Sequence, residues 1–534
     1  KPMFRALFTC TLFGPLFCLA QGFFTPDNYI GAFGTVDWTQ GWTNWNPRAS
    51  SYPAGTVLLQ GNITSPTALK ADKTYLLKGY VYVKNNTTLT IEPGTIIRSD
   101  VLSASALIIT KGSKLICDGT PSNPIVFTSS EGTGARTYGD WGGIVLLGKA
   151  RINANGGSSD IGAGINNANG DGLFGGNDDE DSSGSISYTR IEFAGVQYQP
   201  DKEISALALG AVGRRTQLHH IQISFCGNDG IHIAGGTAQL KHLALFRGYN
   251  SDITMDMGYT GLIQYAVILR DSTKAGSRGA SGLEIQNDAL ATQAQPFTDP
   301  TLSNVTFLGP LTLPNTPYNS NFRYAVHLRR NGRCAVFNSA IAGYTRGLML
   351  DGMGVGANMS AGLLVFQNNQ FAGMKTMNLD TTNRFAQAYP DFNRSTWLLS
   401  SGFGNGSLSA PRDLQLTDPY TFFDPNFLPL PSTILTSGAS YAHPRLLATA
   451  NTQNSNLASQ VHIGTAAGGL QFFPSDIVGD LQVQIMDITG KVLREFIYDA
   501  AEGIVVTLQH RGNIVVRMRA DGVLYHQRVL FLGD

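Results

Sequence analysis

Apolar positions return in register through the middle of the chain. Thr216-Gln-Leu-His-His-Ile-Gln-Ile-Ser224, Ala238-Gln-Leu-Lys-His-Leu-Ala-Leu-Phe246 and Gly261-Leu-Ile-Gln-Tyr-Ala-Val-Ile-Leu269 align Leu218 with Leu240 and Ile263, Ile221 with Leu243 and Ala266, and Ile223 with Leu245 and Ile268. The steps of 22 and 23 residues are too short for a two-helix repeat. They suit one turn of a parallel β-solenoid, in which inward side chains stack on the turn below. Upstream, Tyr80-Val-Tyr-Val83, Thr88-Leu-Thr-Ile91, Ala106-Leu-Ile-Ile109 and Ile125-Val-Phe-Thr128 are short β runs. Turn signals such as Glu92-Pro-Gly94 and Lys111-Gly-Ser113 separate them, as a three-sided coil requires.

The pattern breaks in four places. Residues 1–20 carry Lys1 and Arg5 ahead of an apolar run from Ala6 to Ala20, the form of an export signal too short and interrupted to span a bilayer. Residues 21–70 are expected to form an N-terminal cap. Within them, Trp38, Trp42 and Trp45 can serve as a platform for sugar rings or as apolar cover for the open end of the coil; cover is the expectation. Residues 153–185, rich in Gly, Asn, Asp and Ser, are expected to leave the stack as a long loop. The coil, placed at 71–400, gives way to a closing segment and linker at 401–470. Longer alternating strands at 471–534 suggest a small separate β-sandwich. The fold class is therefore all-β: a right-handed parallel β-helix followed by a small β-sandwich.

Composition agrees, with 61 glycines and only 14% charged residues. Lys+Arg and Asp+Glu are equal at 38 each, so no global field draws the chain to nucleic acid. Cys117, Cys226 and Cys334 are too widely spaced for a disulfide framework or a metal knuckle and are expected as small buried hydrophobes.

Two resemblances follow from particular residues. Asp487-Ile-Thr-Gly-Lys491, Arg511-Gly-Asn-Ile-Val-Val-Arg517 and Arg528-Val-Leu530 resemble the C-terminal sorting domain of type IX secretion substrates. Tyr29-Ile-Gly-Ala-Phe33, Leu89-Thr-Ile-Glu-Pro-Gly-Thr95, Asn123-Pro-Ile-Val-Phe-Thr128, Gly139-Asp-Trp-Gly-Gly143 and Arg190-Ile-Glu-Phe-Ala-Gly195 are similar to a family of large secreted right-handed β-helix proteins that often carry such a tail. The resemblances imply an export address, with the type IX secretion machinery as partner and a secreted or cell-surface location. They imply little about activity.

Candidate chemistry lies on the repeat itself. Asp229 and Asp252 fall at nearly the same point of successive turns, with Asp256, Glu284 and Asp288 further along. Stacked about 5 Å apart, such carboxylates repel unless a cation or substrate bridges them. This face can bind Ca²⁺ or perform acid/base chemistry on a polysaccharide, with Arg247, Lys274 or Arg278 neutralising uronates. The expectation is that Asp and Asn here simply make turns. Asp178, Asp179, Glu180 and Asp181 in the glycine-rich loop offer oxygen ligands suited to Ca²⁺, or form a solvated acidic loop. Histidines 219, 220, 232 and 242 show no metal-ligand spacing and are expected as stacked polar side chains. No nucleophile elbow or phosphate-binding loop occurs. The expected role is a surface protein, structural, adhesive or glycan-binding, interacting with a polysaccharide or other cell-surface proteins. The alternative is a polysaccharide lyase or glycoside hydrolase using stacked carboxylates.

Overall fold

Alternation of apolar and polar residues over runs of three to ten residues, with turns between, winds the chain into a right-handed parallel β-helix. The computed structural model describes residues 22–199, 202–447, 461–466, 469–474, 480–487, 491–499, 504–507, 512–520 and 523–531. The export segment at 1–20 and the polar linker at 449–456 lie outside the described residues, as do Ile488-Thr-Gly490 and Arg511 of the sorting motif. Residues 26–446 form one compact unit, and the strands from Val461 onward belong to a second.

In the first unit every strand of the coil pairs in parallel with a strand one turn away. Gln217–Ser224 pairs with Gln239–Phe246, that strand with Leu262–Leu269, and that in turn with Thr301–Leu308. The register matches Leu218 to Leu240 to Ile263, as the sequence period requires. A shorter strand on another face follows each turn: Leu207–Gly210, Ile231–Ala234, Ile253–Asp256, Leu283–Gln286 and Tyr324–Arg329. Inward residues form one continuous core from Leu59 to Leu398, in which most side chains are wholly buried. Each such Leu, Ile or Val contributes about 1.5–3 kcal/mol. Cys117, Cys226 and Cys334 are free, buried members of this core.

The long strands bend where one residue takes a left-handed conformation. Tyr188, His220, His242, Tyr265, Asn304, Asn338 and Asn368 occupy this corner, all with positive φ. Asn tolerates that conformation, whereas aromatic residues adopt it at a cost. Here the cost is offset by a column of rings: Tyr188 on His220 at 4.3 Å, His220 on His242 at 4.2 Å, and His242 on Tyr265 at 4.8 Å between centroids.

The tryptophans sit elsewhere than expected. Trp38, Trp42 and Trp45 lie along the flank of the coil, against His242, Tyr188 and Phe246, and do not cover its first turn. The segment runs lengthwise, from Gly31 bonded to the Asn338 carbonyl to Tyr52 bonded to Glu192. Its cause is the outward side of that face, where Phe193, Phe225, Phe246, Leu269 and Leu308 need apolar cover. The closing segment also runs back along this flank, through Leu414, Phe427 and Leu435. Phe385 and Leu398 of two short helices, Asn383–Ala388 and Arg394–Leu398, join the core near its end, and the coil runs past residue 400, where Gly406–Leu408 pairs in parallel with Gln370–Ala372. In the second unit the described strands form two antiparallel sheets, one of three strands and one of four.

The ring column predicts a pH response. Burial, and then neighbouring histidines, push His220 down to about 4 and His242 to about 3. Both are neutral in the folded coil, while the unfolded chain takes up protons near pH 6.5. Below about 6.5 the unfolded state therefore binds more protons, and stability falls as pH drops. Urea midpoints measured at about pH 7 and about pH 5 should show this decline in the parent protein, and a shallower one in His242→Asn. Equal declines would place its origin outside the column.

Candidate functional site

One face of the coil changes chemistry along its length. Its outward positions begin apolar, with Tyr82, Ile108, Val145, Leu147 and Ala208. From the next turn they become polar: His232 pairs in register with Thr254, Thr254 with Glu284, and Glu284 with His327. The inner positions, Ile231 and Ile233, Ile253 and Met255, Leu283 and Ile285, stay in the core. A cleft of about 760 Å³ opens over the polar stretch, within the range of ligand sites.

Its walls come from insertions between strands. Residues 271–281 contribute Arg278 and Gly279, the segment entering Leu207–Gly210 contributes Glu203 and Ser205, and the glycine-rich loop contributes Asp160 to Gly164 and Asn166. That loop does not project into solvent. Its Ile165 and Phe174 are wholly buried against the apolar start of the same face.

The cleft groups are tied to one another. Asp229 accepts from the Ser251 amide at 3.1 Å and the Thr254 hydroxyl at 2.9 Å. Burial, and then the nearby Glu284 charge, raise its carboxyl above the ordinary Asp range. Asp256 pairs with His232 at 3.0 Å and accepts from Gln286. Burial opposes the charge on His232, but Asp256 outweighs it and the imidazole is raised overall. Glu284 pairs with Arg329 at 3.0 Å, and Arg330 donates to Gln286 at 3.0 Å. Arg278 pairs with Glu203 and donates to Asn228. The cleft thus holds one carboxyl raised above its ordinary range beside others held in ion pairs, the arrangement acid/base chemistry uses.

Of the residues singled out from sequence, Asp229, Asp256, Glu284 and Arg278 line the cleft. Asp252 does not. Asp229 aligns with Ser251, one position earlier, so alternation turns Asp252 into the interior. There it is 2% exposed and pairs with the wholly buried Arg270 at 2.7 Å. Burial pushes its carboxyl up to about 7 against the pull of Arg270. Arg270 also donates to the carbonyls of Gly248, Asn250 and Ser281, fixing the turns beneath the cleft floor.

Arg247 lies outside the cleft, paired with Asp271 among Phe225, Phe246 and Phe422. Lys274 is exposed on the 271–281 insertion and does not line the cleft. Asp288 orders its own loop by accepting from Leu290 and Thr292. The four loop carboxylates turn to separate partners: Asp178 to the Glu180 amide, Asp179 to Arg151, Glu180 to Arg214 and Asp181 to the Lys149 amide. Among the described residues no three His, Cys, Asp or Glu side chains converge as a metal site.

Glu203, Arg329, Arg330 and Asp160 were not singled out from sequence. Arg329 carried a usable signal, since Leu283-Glu-Ile-Gln286 and Val326-His-Leu-Arg329 share an apolar-polar alternation. Insertions of unequal length between these strands break the period that would have aligned them.

Comparison with known families bears on this geometry. The model of the pectate-lyase-like β-helix domain matches residues 61–410. The chain belongs to this family. The matched stretch takes in nearly all of the coil and every residue lining the cleft. No curated protein matches the chain.

Removing one partner of the buried pair beneath the cleft leaves an uncompensated charge, so Asp252→Leu or Arg270→Met alone should each cost about 3–5 kcal/mol. The double variant should recover much of that loss. Chemical denaturation checks it, and a double variant no more stable than the singles would show that Arg270 acts through the backbone carbonyls alone.

Proposed function

We propose that the cleft binds a polysaccharide segment, which makes this chain a glycan-binding β-helix protein. The observation that carries the proposal is the change of the outward column from covered and apolar to open and polar at His232, with carboxyl, imidazole, hydroxyl, amide and guanidinium groups side by side. Sugars are recognised by such dense, fixed donors and acceptors, and the neighbouring ion pairs hold these rigid. The export address expected in residues 1–20 and in the C-terminal strands belongs to the same proposal: delivery through type IX machinery to the cell surface or beyond, where polysaccharides are met.

A second reading, glycoside hydrolysis, is favoured by Asp229. A carboxyl raised above its ordinary range by burial and by Glu284 suits a general acid, and Asp256, held by His232, suits the base that activates water. Lyase action on uronates is less supported. Five carboxyl groups line the cleft (Asp160, Glu203, Asp229, Asp256 and Glu284) against three guanidinium groups, two of them already paired. That balance favours a neutral glycan.

The test is a panel of cellulose, xylan, mannan, homogalacturonan and chondroitin, assayed for both retention and new reducing ends. Retention without cleavage selects binding alone, whereas new reducing ends without unsaturated ends select hydrolysis. Unsaturated ends absorbing in the near ultraviolet would select a lyase. If hydrolysis is found, Asp229→Asn should lower it about 10²–10⁴-fold while retention persists. Failure to retain any member of the panel overturns the proposal.

A further inference from the structure

The glycine-rich loop bears on how a glycan enters. We infer that the cleft takes the end of a polysaccharide chain and not a stretch of its interior, an inference that rests on the glycan-binding reading above.

The outward column on which the cleft lies does not continue as an open groove toward the first turns of the coil. There the face is roofed. Ile165 and Phe174 seat on Ile108, Val145, Leu147 and Ala208, all buried beneath the loop. The roof is fixed at several points. Tyr80 donates to the Ala163 carbonyl and Tyr82 to the Ile165 carbonyl, each at 2.8 Å. Lys84 pairs with Asp171 at 2.5 Å, and a two-strand pairing joins Ser159–Asp160 to Leu173–Phe174. Asp160 to Gly164 and Asn166 therefore form a built end wall, standing where the polar stretch meets the apolar one.

At the other end the lining consists of Gln286, Arg329 and Arg330, side chains of the coil itself, with no inserted loop among them. Beyond them the outward column continues on the coil's own strands as Met349, which is buried, and Asp380, which pairs with Arg346 and Arg394, whereas a chain laid along the face toward the first turns meets the wall. A terminal sugar satisfies that geometry and an internal one does not. The wall includes Asp160, whose carboxyl accepts from the Gly162 amide at 2.7 Å and has further acceptor capacity for the extra hydroxyl that a chain end carries.

The experiment uses the full protein and the polysaccharide that the panel retains, partially hydrolysed and sized into short, medium and long chains. Protein bound per chain is measured by sedimentation. The expected result is one protein per chain end at every length, so that binding per unit mass falls in proportion as chains lengthen. Binding per chain that rises in proportion to length overturns this inference and leaves the glycan-binding reading standing. No retention of any polysaccharide overturns both. A variant with residues 160–162 shortened, keeping the anchors Ile165 and Phe174, should convert the protein to length-proportional binding. Its melting temperature reports whether it remains folded, and a folded variant still limited to chain ends also overturns the inference.

Discussion

The unit of residues 26–446 depends on parallel pairing of each turn with the next in strict register. Because a strand shows alternate residues to opposite sides, a one-residue change of phase exchanges core for surface. The pair Asp229 and Asp252 shows how sharply this acts. Both follow a corner and precede a strand on the same face, one turn apart. The first opens into the cleft beside Thr254, and the second is driven inside onto Arg270. Position within the pleat decides the fate of a carboxylate more firmly than its place in the repeat.

Covering follows from the same alternation. Each face of the coil has an outer side whose composition dictates what must lie on it. Where the outward residues are aromatic or aliphatic, the chain supplies its own cover: the tryptophan segment and the returning closing segment on one face, and the glycine-rich loop on another. Where they are polar, the face stays open. The cleft is thus the uncovered remainder of a face whose other part is roofed, and the edge of the roof becomes its wall. Fold and site share one cause.

The repeat was legible because its strongest instances, from Thr216 to Leu269, follow one another without insertion. Register could be read from that stretch, and the burial of the three described cysteines from their wide spacing. Four cleft residues were also within reach, since Asp229, Asp256, Arg278 and Glu284 lie in or just beyond it. Others were not, for two physical reasons. The strand carrying Arg329 is separated from its neighbour by a long insertion, and Glu203 and Asp160 reach the cleft from segments outside the repeat. The placement of Trp38, Trp42 and Trp45 was misjudged because aromatic cover suits an open end and an apolar flank equally well. Only the outward residues at Phe193, Phe225 and Phe246, read as a column, distinguish the two.

The electrostatics of the cleft narrow what it can take. Its ions are matched locally, Glu203 with Arg278, Glu284 with Arg329 and Asp256 with His232, so little unpaired positive charge is left to draw in a polyanion. Asp229 stands apart, bonded to a hydroxyl and an amide instead of a cation. Burial and the nearby Glu284 raise its carboxyl above the ordinary Asp range, and both of its oxygens accept hydrogen bonds from the chain's own Ser251 amide and Thr254 hydroxyl. A cleft of paired ions around one carboxyl held by an amide and a hydroxyl presents both donors and acceptors at fixed positions with no strong net field. That pattern matches the alternating donor and acceptor character of sugar hydroxyls better than the uniform charge of a uronate chain.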